Sequence, residues 1–227
     1  MRILILVISS DTFPVYAKHR QVWAQYMKQF PNVNCYFITY SPIVFVPTFS
    51  QDRCTLYLRG NEGYGTIIGK TIDALRFFDI SKYTYVVRTN LSSLWDFYKL
   101  VYYLQDKPRS RFYSGQIGTN TETGVQFASG AGFIMSPDVC QILRNNKSAA
   151  VSFPGFDDVA VAKILRDHGI YPISQPRVDF ISLKQYDEHH DKVPEGSFHY
   201  RIKHENYLGD RMEEPIIMKK IVDSIYK

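Results

Sequence analysis

The sequence predicts an α/β protein with a mostly parallel, doubly wound sheet flanked by helices. Ile3–Ile8 is an unbroken run of Ile, Leu and Val, which is typical of a strand buried on both faces. The first half of the chain alternates strand-like and helix-like segments, and this alternation favours a parallel sheet. The chain has 227 residues, 45% of them hydrophobic, which is enough for a substantial core. We therefore expect a single domain over residues 1–227.

The remaining elements follow from hydrophobic periodicity and turn residues. In the first half we expect helices and strands in alternation, with a glycine-rich turn at 60–65. The helices are expected at 15–30, 66–78 and 92–104, and the strands at 34–39, 55–58 and 83–88. The second half predicts strands at 112–115 and 132–135, helices at 138–145, 157–168 and 213–227, and an irregular surface loop at 182–197.

The charge pattern favours a small anionic ligand over a nucleic acid. The 27 Lys and Arg residues exceed the 22 Asp and Glu residues, so the formal net charge is +5. The sequence contains no block of like charges, whereas a nucleic-acid-binding protein more often carries a stripe of Lys and Arg along one element. A mild excess of positive charge suits a ligand such as a nucleotide diphosphate. We expect no nucleic-acid partner.

Cysteine usage and the N-terminal segment indicate a cytoplasmic protein. The three cysteines are an odd number without a CxxC pair, so we expect reduced thiols and neither a disulfide framework nor a zinc site. The apolar run of Ile3–Ile8 is shorter than the ~7–15 residues of a signal-peptide core. It is also far shorter than the ~20 residues of a membrane span. We therefore expect no membrane span.

Polar residues follow two of the predicted strands. Ser9 and Ser10 come after the first strand, and the run from Arg88 through Thr89 and Asn90 to Ser92 comes at the end of the central strand. Ligands of doubly wound sheets bind beyond the carboxyl ends of the strands, so these residues are candidates for ligand binding. The alternative is an ordinary helix cap formed by Asn90 or Ser92.

Two further segments carry candidate chemistry. Gly130 and Ala131 lie in a run of small residues that would let a ligand approach the backbone closely, although a tight hairpin explains the same run. Asp157 and Asp158 open a predicted helix. Carboxylates are favoured there by the helix dipole, which is one sufficient explanation. A carboxylate held there by backbone amides is also a well-placed general base.

The late segments contain cationic and metal-ligating residue types. His199, Arg201 and Lys203 alternate along an extended stretch, so one face could line a diphosphate or bind a metal ion together with phosphate. A solvated edge strand is the alternative. Residues 187–191 are rich in Asp, Glu and His, but no second cluster accompanies them at zinc spacing. A solvated loop is the favoured interpretation there.

The order of these segments resembles inverting glycosyltransferases of GT-A fold, in particular the β-1,3-galactosyltransferase and Fringe-like families. The resemblance covers about residues 1–205. The stretch from Gly63 to Thr71 is similar to the Tyr-x-Asn-Leu-Thr-x-Lys-Thr motif of that family, which implies that Lys70 lies near the donor nucleotide. The chain also resembles glycosyltransferases of large DNA viruses of algae.

The same resemblance assigns candidate roles and exposes one departure. Asp157 and Asp158 match a Glu-Asp pair whose Asp is the usual base, and His199 matches a late metal- or phosphate-binding His. The family's DxD triplet binds a metal, but Asn90 and Ser92 stand at its carboxylate positions. Because Mn²⁺ and Mg²⁺ prefer charged oxygen ligands, a divalent cation is a doubtful cofactor here.

The resemblance implies an inverting hexosyl- or deoxyhexosyltransferase that moves a sugar from a UDP-sugar to a hydroxyl of a glycan or glycoprotein. It places the nucleotide-binding half at about residues 1–110 and the acceptor and catalytic half at about 111–227. The missing carboxylates leave open a catalytically silent module that binds a sugar nucleotide or a glycan. A nucleotidyltransferase is disfavoured, because it normally needs acidic metal ligands after its central strand.

Overall fold

The protein is described by a computed structural model of residues 1–204 and 211–226, in which two sheets are surrounded by helices. The strands are β1 (Ile3–Ile8), β2 (Val33–Ser41), β3 (Thr48–Phe49), β4 (Thr55–Arg59), β5 (Tyr85–Asn90), β6 (Ser93–Trp95), β7 (Tyr113–Thr119), β8 (Gln126–Met135), β9 (Ile173–Ser174), β10 (Val178–Phe180) and β11 (His199–Ile202). The α-helices are α1 (Pro14–Ala24), α2 (Ile67–Phe77), α3 (Phe97–Tyr103), α4 (Pro137–Asn145), α5 (Lys147–Val151), α6 (Asp157–Asp167), α7 (Leu183–His189) and α8 (Glu213–Ile225).

The large sheet has eight strands in the order β3-β4-β2-β1-β5-β8-β7-β9. The strands β4, β2, β1 and β5 are parallel, while β8 runs antiparallel to β5. From β1 the chain proceeds to β2 on one side, whereas β5 pairs on the other side. The carboxyl ends of β1 and β5 therefore lie side by side at a topological switch point, where Ile8 pairs with Asn90.

Two hydrophobic cores cover the faces of this sheet. Successive side chains of β1 point to opposite faces. Ile3, Ile5 and Val7 pack on the side of the sheet that carries α1, α3, α7 and α8. Leu4, Leu6 and Ile8 pack on the side that carries α2, α4, α5 and α6. Burial on both faces explains why β1 is apolar throughout. The predicted α/β architecture is confirmed.

The small sheet pairs the late strands β10 and β11 with β6, which follows β5 in the chain. Its order is β10-β11-β6, with β6 antiparallel to β11 and β10 parallel to it. The prediction of one helix over 92–104 was wrong in its first part, because residues 93–95 form β6. The helix α3 begins only after Asp96, whose side chain accepts a hydrogen bond from the Lys99 amide at 3.0 Å.

Other differences from the expected elements are local. The first helix ends at Ala24 rather than Phe30, and the turns that follow it contain the buried Tyr26 and Met27. The predicted loop at 182–197 contains α7, which Ser182 caps by accepting from the Gln185 amide at 3.1 Å. No helix within residues 1–204 and 211–226 is long and apolar enough to span a membrane.

Candidate functional site

A pocket of about 510 Å³ opens at the carboxyl ends of β1 and β5. Its wall combines residues from the ends of β1, β5, β8 and β11 with residues that open α1, α2 and α6. The predicted residues in this wall are Ser9, Ser10, Lys70, Arg88, Asn90, Ser92, Gly130, Ala131, Asp157, Asp158, Arg201 and Lys203. The switch point of the sheet thus brings together residues that are up to 194 positions apart in sequence.

Lys70 lies in the pocket wall as part of an ion pair. Its Nζ is 2.7 Å from Glu62 Oε1 and 2.6 Å from Glu62 Oε2, and it also donates to the carbonyl oxygen of Ser9 at 2.7 Å. Burial lowers the pKa of Lys70, while Glu62 acts in the opposite direction. The Ser9 hydroxyl accepts from Arg20 Nε at 2.7 Å, and the Ser10 hydroxyl bonds with that of Thr12 at 2.9 Å. These contacts hold the end of β1 rigidly.

Arg88 joins the central strand to the start of α6. Its side chain is 3% exposed. One guanidinium nitrogen donates to the carbonyl oxygen of Gly130, and Nη2 donates to Asp157 Oδ2 at 2.5 Å. The ion pair compensates the charge of Asp157 inside the pocket. Asp157 is therefore held in place by a cation, in contrast to its neighbour Asp158.

Asp158 is held by backbone amides. Its Oδ2 accepts from the Gly130 amide at 2.8 Å, and its Oδ1 accepts from the Val159 amide at 3.0 Å. Burial raises the pKa of Asp158, and the negative charge of Asp157 raises it further. Since each carboxylate oxygen can accept two hydrogen bonds, Asp158 retains the capacity to take a proton from a ligand. A carboxylate in this setting is suited to general-base chemistry.

Asn90 and Ser92, which the sequence resemblance aligned with a metal-binding triplet, are engaged with each other. Asn90 Oδ1 accepts from the Ser92 hydroxyl at 3.2 Å and from the Ser93 hydroxyl at 3.0 Å. Thr89, predicted to bind the ligand, lies outside the pocket wall. Its hydroxyl donates to the Ala131 carbonyl oxygen at 2.8 Å and accepts from Trp95 Nε1 at 3.0 Å. Side chains of β5 alternate between the two faces of the sheet, so Thr89 points away from the pocket that Arg88 and Asn90 line.

His199, the predicted metal ligand, also lies outside the pocket wall. Its ring is fully buried and stacks on Trp95 with centroids 4.0 Å apart, and Nδ1 is 3.3 Å from Gln175 Nε2. Burial lowers the pKa of His199 well below its ordinary value, and Arg177 and Arg201 lower it further. Within residues 1–204 and 211–226, no group of three or more His, Cys, Asp or Glu side chains could hold a metal ion.

Three cations enter the pocket from the late part of the chain. Arg201 lies on β11, Lys203 follows it, and Arg211 precedes α8. Burial lowers the pKa of Arg201, and the nearby Arg177 lowers it further. Burial likewise lowers the pKa of Lys203, and the positive charges of Arg201 and Arg211 lower it further. Cations that repel one another in a partly buried site gain from binding an anion.

The C-terminal cation is fixed by a buried carboxylate. Glu214 binds Arg211 through two hydrogen bonds of 2.7 Å. Its Oε1 accepts from the His204 amide at 3.0 Å, and its Oε2 lies 3.2 Å from His19 Nε2. Burial lowers the pKa of His19. Glu214 thus connects α1, α8 and the segment after β11.

Several residues of the pocket wall were not predicted from the sequence. Among them are Glu62, the partner of Lys70, and Arg211, the partner of Glu214. Two aromatic residues, Tyr64 and Phe156, were also missed. Each aromatic residue did carry a signal in the sequence, because each directly follows a glycine. Tyr64 lies six residues before Lys70, and Phe156 directly precedes Asp157. Glu62 and Arg211 were missed although their partners are close in sequence, since Glu62 lies eight residues before Lys70 and Arg211 three residues before Glu214.

Comparison with solved structures shows which known fold the chain has. A glycosyltransferase involved in the glycosylation of the major capsid of PBCV-1 has a similar crystal structure, with a TM-score of 0.60 and 11% sequence identity. The match covers 97% of this chain and 100% of that chain. No family model matches the sequence, and neither does any curated protein. The likeness shows that the chain has a glycosyltransferase fold of the Rossmann-like type, as predicted.

Proposed function

We propose that this protein is an inverting glycosyltransferase that uses a nucleotide-diphosphate sugar, with UDP as the nucleotide, and a hydroxyl of a glycan or glycoprotein as the acceptor. One observation carries the proposal. A carboxylate held by backbone amides, Asp158, shares a pocket at the switch point with the cations Arg201 and Lys203. A general base and an anion site side by side are what glycosyl transfer from a diphosphate requires.

The cations would bind the donor and stabilise its leaving group. The diphosphate becomes more negative as the bond to the sugar breaks, so cations positioned beforehand stabilise the transition state. Lys70 and Arg88 are already compensated by Glu62 and Asp157. We assign most of the diphosphate contact to Arg201 and Lys203, because both line the pocket and burial lowers the pKa of each. The end of β1 at Ser9 and Ser10 would hold the nucleoside.

The transfer step follows from this arrangement. The acceptor oxygen attacks the anomeric carbon of the donor sugar from the side opposite the diphosphate, and its proton passes to the Asp158 carboxylate. The bond between the anomeric carbon and the diphosphate oxygen breaks, and its electron pair stays on that oxygen. The configuration at the anomeric carbon is inverted. The products are the glycoside, the nucleoside diphosphate and a protonated Asp158.

We also propose that the cations compensate the leaving diphosphate without a metal held by the protein. Support comes from the donor set, since Asn90 and Ser92 offer neutral oxygens that already bond to each other, and His199 packs beneath Gly132 rather than in the pocket. The kinship with the β-1,3-galactosyltransferase and Fringe-like families, and with viral enzymes, belongs to the same proposal. So does the transfer of a hexose or deoxyhexose.

The test is a calorimetric titration of UDP, GDP and CMP, each with Mn²⁺ and with EDTA. The proposal expects UDP to bind in EDTA, and expects release of free sugar when a UDP-sugar is supplied. Arg201→Met and Lys203→Met should each weaken UDP binding about tenfold, the effect of losing one charge-assisted contact. Lys219→Met is the control, because Lys219 pairs with Asp223 on the exposed face of α8. If none of the three nucleotides binds, the proposal is wrong.

One alternative has its own support. The neutral residues at the metal-binding triplet also suit a module that binds a sugar nucleotide or a glycan without catalysis. Such a module would bind UDP or a UDP-sugar but would neither hydrolyse the donor nor transfer its sugar to any acceptor. The calorimetric and hydrolysis measurements, made on one preparation, therefore separate the two functions.

A further inference from the structure

Two exposed aromatic side chains stand at the pocket beside the carboxylates. Tyr64 is 67% exposed and Phe156 is 54% exposed, and both contribute to the pocket wall. Their rings meet edge to face, with centroids 6.3 Å apart and planes at 86°. The donor-binding residues do not require either ring. Exposed apolar side chains that cluster at a pocket commonly mark a binding surface.

The backbone fixes the position of this aromatic pair. Gly155 has a φ of 149°, a conformation that residues with a side chain rarely adopt, and it directs the chain into Phe156 at the start of α6. Tyr64 opens the short turn that precedes α2. The pair therefore bridges the starts of two helices on one side of the sheet. Phe156 directly precedes Asp157 and Asp158 in the chain.

The neighbouring charges indicate which ligand the aromatic pair suits. Asp157 and Asp158 directly follow Phe156 and line the same pocket; Arg88 neutralises Asp157, so Asp158 carries the charge that disfavours a diphosphate on this side. Carboxylates accept hydrogen bonds from hydroxyl groups instead. A pyranose ring presents an apolar C–H face that packs on an aromatic ring, and hydroxyls at its edge that bond to carboxylates. A sugar is the ligand whose two kinds of surface match both parts of this site.

We infer that Tyr64 and Phe156 form the platform for a pyranose ring of the acceptor, with one hydroxyl of that ring directed at Asp158. This inference rests on the proposed glycosyl transfer, and it names the acceptor as a carbohydrate rather than an amino-acid side chain of an unglycosylated protein. The platform sets the position of the attacking hydroxyl, and so contributes to the choice of linkage.

The experiment compares Tyr64→Ala, Phe156→Ala and the double variant with Tyr102→Ala. Tyr102 is 76% exposed on α3 and lies outside the pocket wall, so it is a matched control. Binding of the protein with UDP to an array of immobilised oligosaccharides is measured first, and UDP affinity is measured by calorimetry. The conservative variants Tyr64→Phe and Phe156→Tyr test whether an aromatic ring suffices.

We expect each alanine variant to lose about tenfold or more in affinity for the bound oligosaccharides, while its UDP affinity stays within about twofold. The conservative variants and Tyr102→Ala should bind like the parent. The inference is overturned if no oligosaccharide binds the parent protein, or if the double variant binds as the parent does. It is also overturned if UDP affinity falls as far as oligosaccharide affinity, because the rings would then stack on the nucleobase. Failure of UDP binding in the parent protein would instead refute the proposed transferase function.

Discussion

Two adjacent carboxylates at the start of α6 have different surroundings. Asp157 is paired with the buried guanidinium of Arg88, whereas the hydrogen bonds of Asp158 come from the amides of Gly130 and Val159. The spacing in the sequence could not distinguish them. The contacts favour Asp158 as the base, because the Asp157 carboxylate is already bonded to the Arg88 guanidinium.

Asp158→Asn should lower kcat about 10²–10⁴-fold, the usual contribution of general-base assistance. UDP affinity should stay nearly unchanged, since the amide occupies the same space as the carboxylate. Steady-state kinetics with a UDP-sugar and calorimetry check both parts. If Asp158→Asn retains full activity while Asp157→Asn is inactive, the base is Asp157. If both variants are fully active, the reaction is of another class.

The pH dependence of kcat/KM gives a second prediction at this scale. The base must be ionised, so activity should fall as the pH drops through the pKa of Asp158. Burial and the charge of Asp157 raise that pKa above its ordinary value of 3.8. Asp157→Asn removes the neighbouring negative charge, so the acidic limb of the profile should move to lower pH. A limb that stays in place, or moves to higher pH, would contradict the assignment.

At the scale of elements, β8 packs closely against the small sheet. Gly132 of β8 lies against the stacked rings of Trp95 on β6 and His199 on β11. An added Cβ at this glycine would lie 2.4 Å from Trp95 Cζ2 and 2.8 Å from His199 Cε1. No real side chain fits at these distances. The glycine is required by packing, and the late His is part of that packing.

Gly132→Ala should therefore reduce the free energy of unfolding by about 1–3 kcal/mol, the usual effect of overpacking. Urea denaturation measures the change. Gly196→Ala is the control, since no heavy atom lies within 4 Å of the Cβ it would add. This control should change the free energy of unfolding by less than about 1 kcal/mol. Equal effects of the two substitutions would contradict the packing argument.

At the scale of the whole molecule, Glu214 connects the N-terminal and C-terminal parts of the chain. Glu214→Gln should reduce the free energy of unfolding by about 3–5 kcal/mol, because it removes the buried negative charge that binds Arg211 through two hydrogen bonds. Glu188→Gln is the control. Glu188 is half exposed and lies 3.9 Å from Lys184, so this change should cost less than about 1 kcal/mol. Thermal or urea unfolding distinguishes the two outcomes.

The parts of the fold that were predicted correctly depend on local patterns. The apolar run of β1, the glycine-rich turn before α2 and the acidic start of α6 all follow from neighbouring residues. The strand β6 could not be predicted, because residues 93–95 pair with β11, about a hundred residues later in the chain. The sequence did not reveal that Glu62 would bind Lys70, although only eight residues separate the two. It also did not reveal that His199 would pack on Trp95.

The protein contains two tryptophans, and they bond to the end of β5 and to the residue that follows it. Trp23 Nε1 donates to the Leu91 carbonyl oxygen at 3.1 Å, and Trp95 Nε1 donates to Thr89 Oγ1 at 3.0 Å. Leu91 lies in the pocket wall. A ligand that shifts this segment will change the surroundings of both indoles. The chain therefore carries its own optical probe, and the intrinsic fluorescence of the unlabelled protein should report occupancy of the pocket.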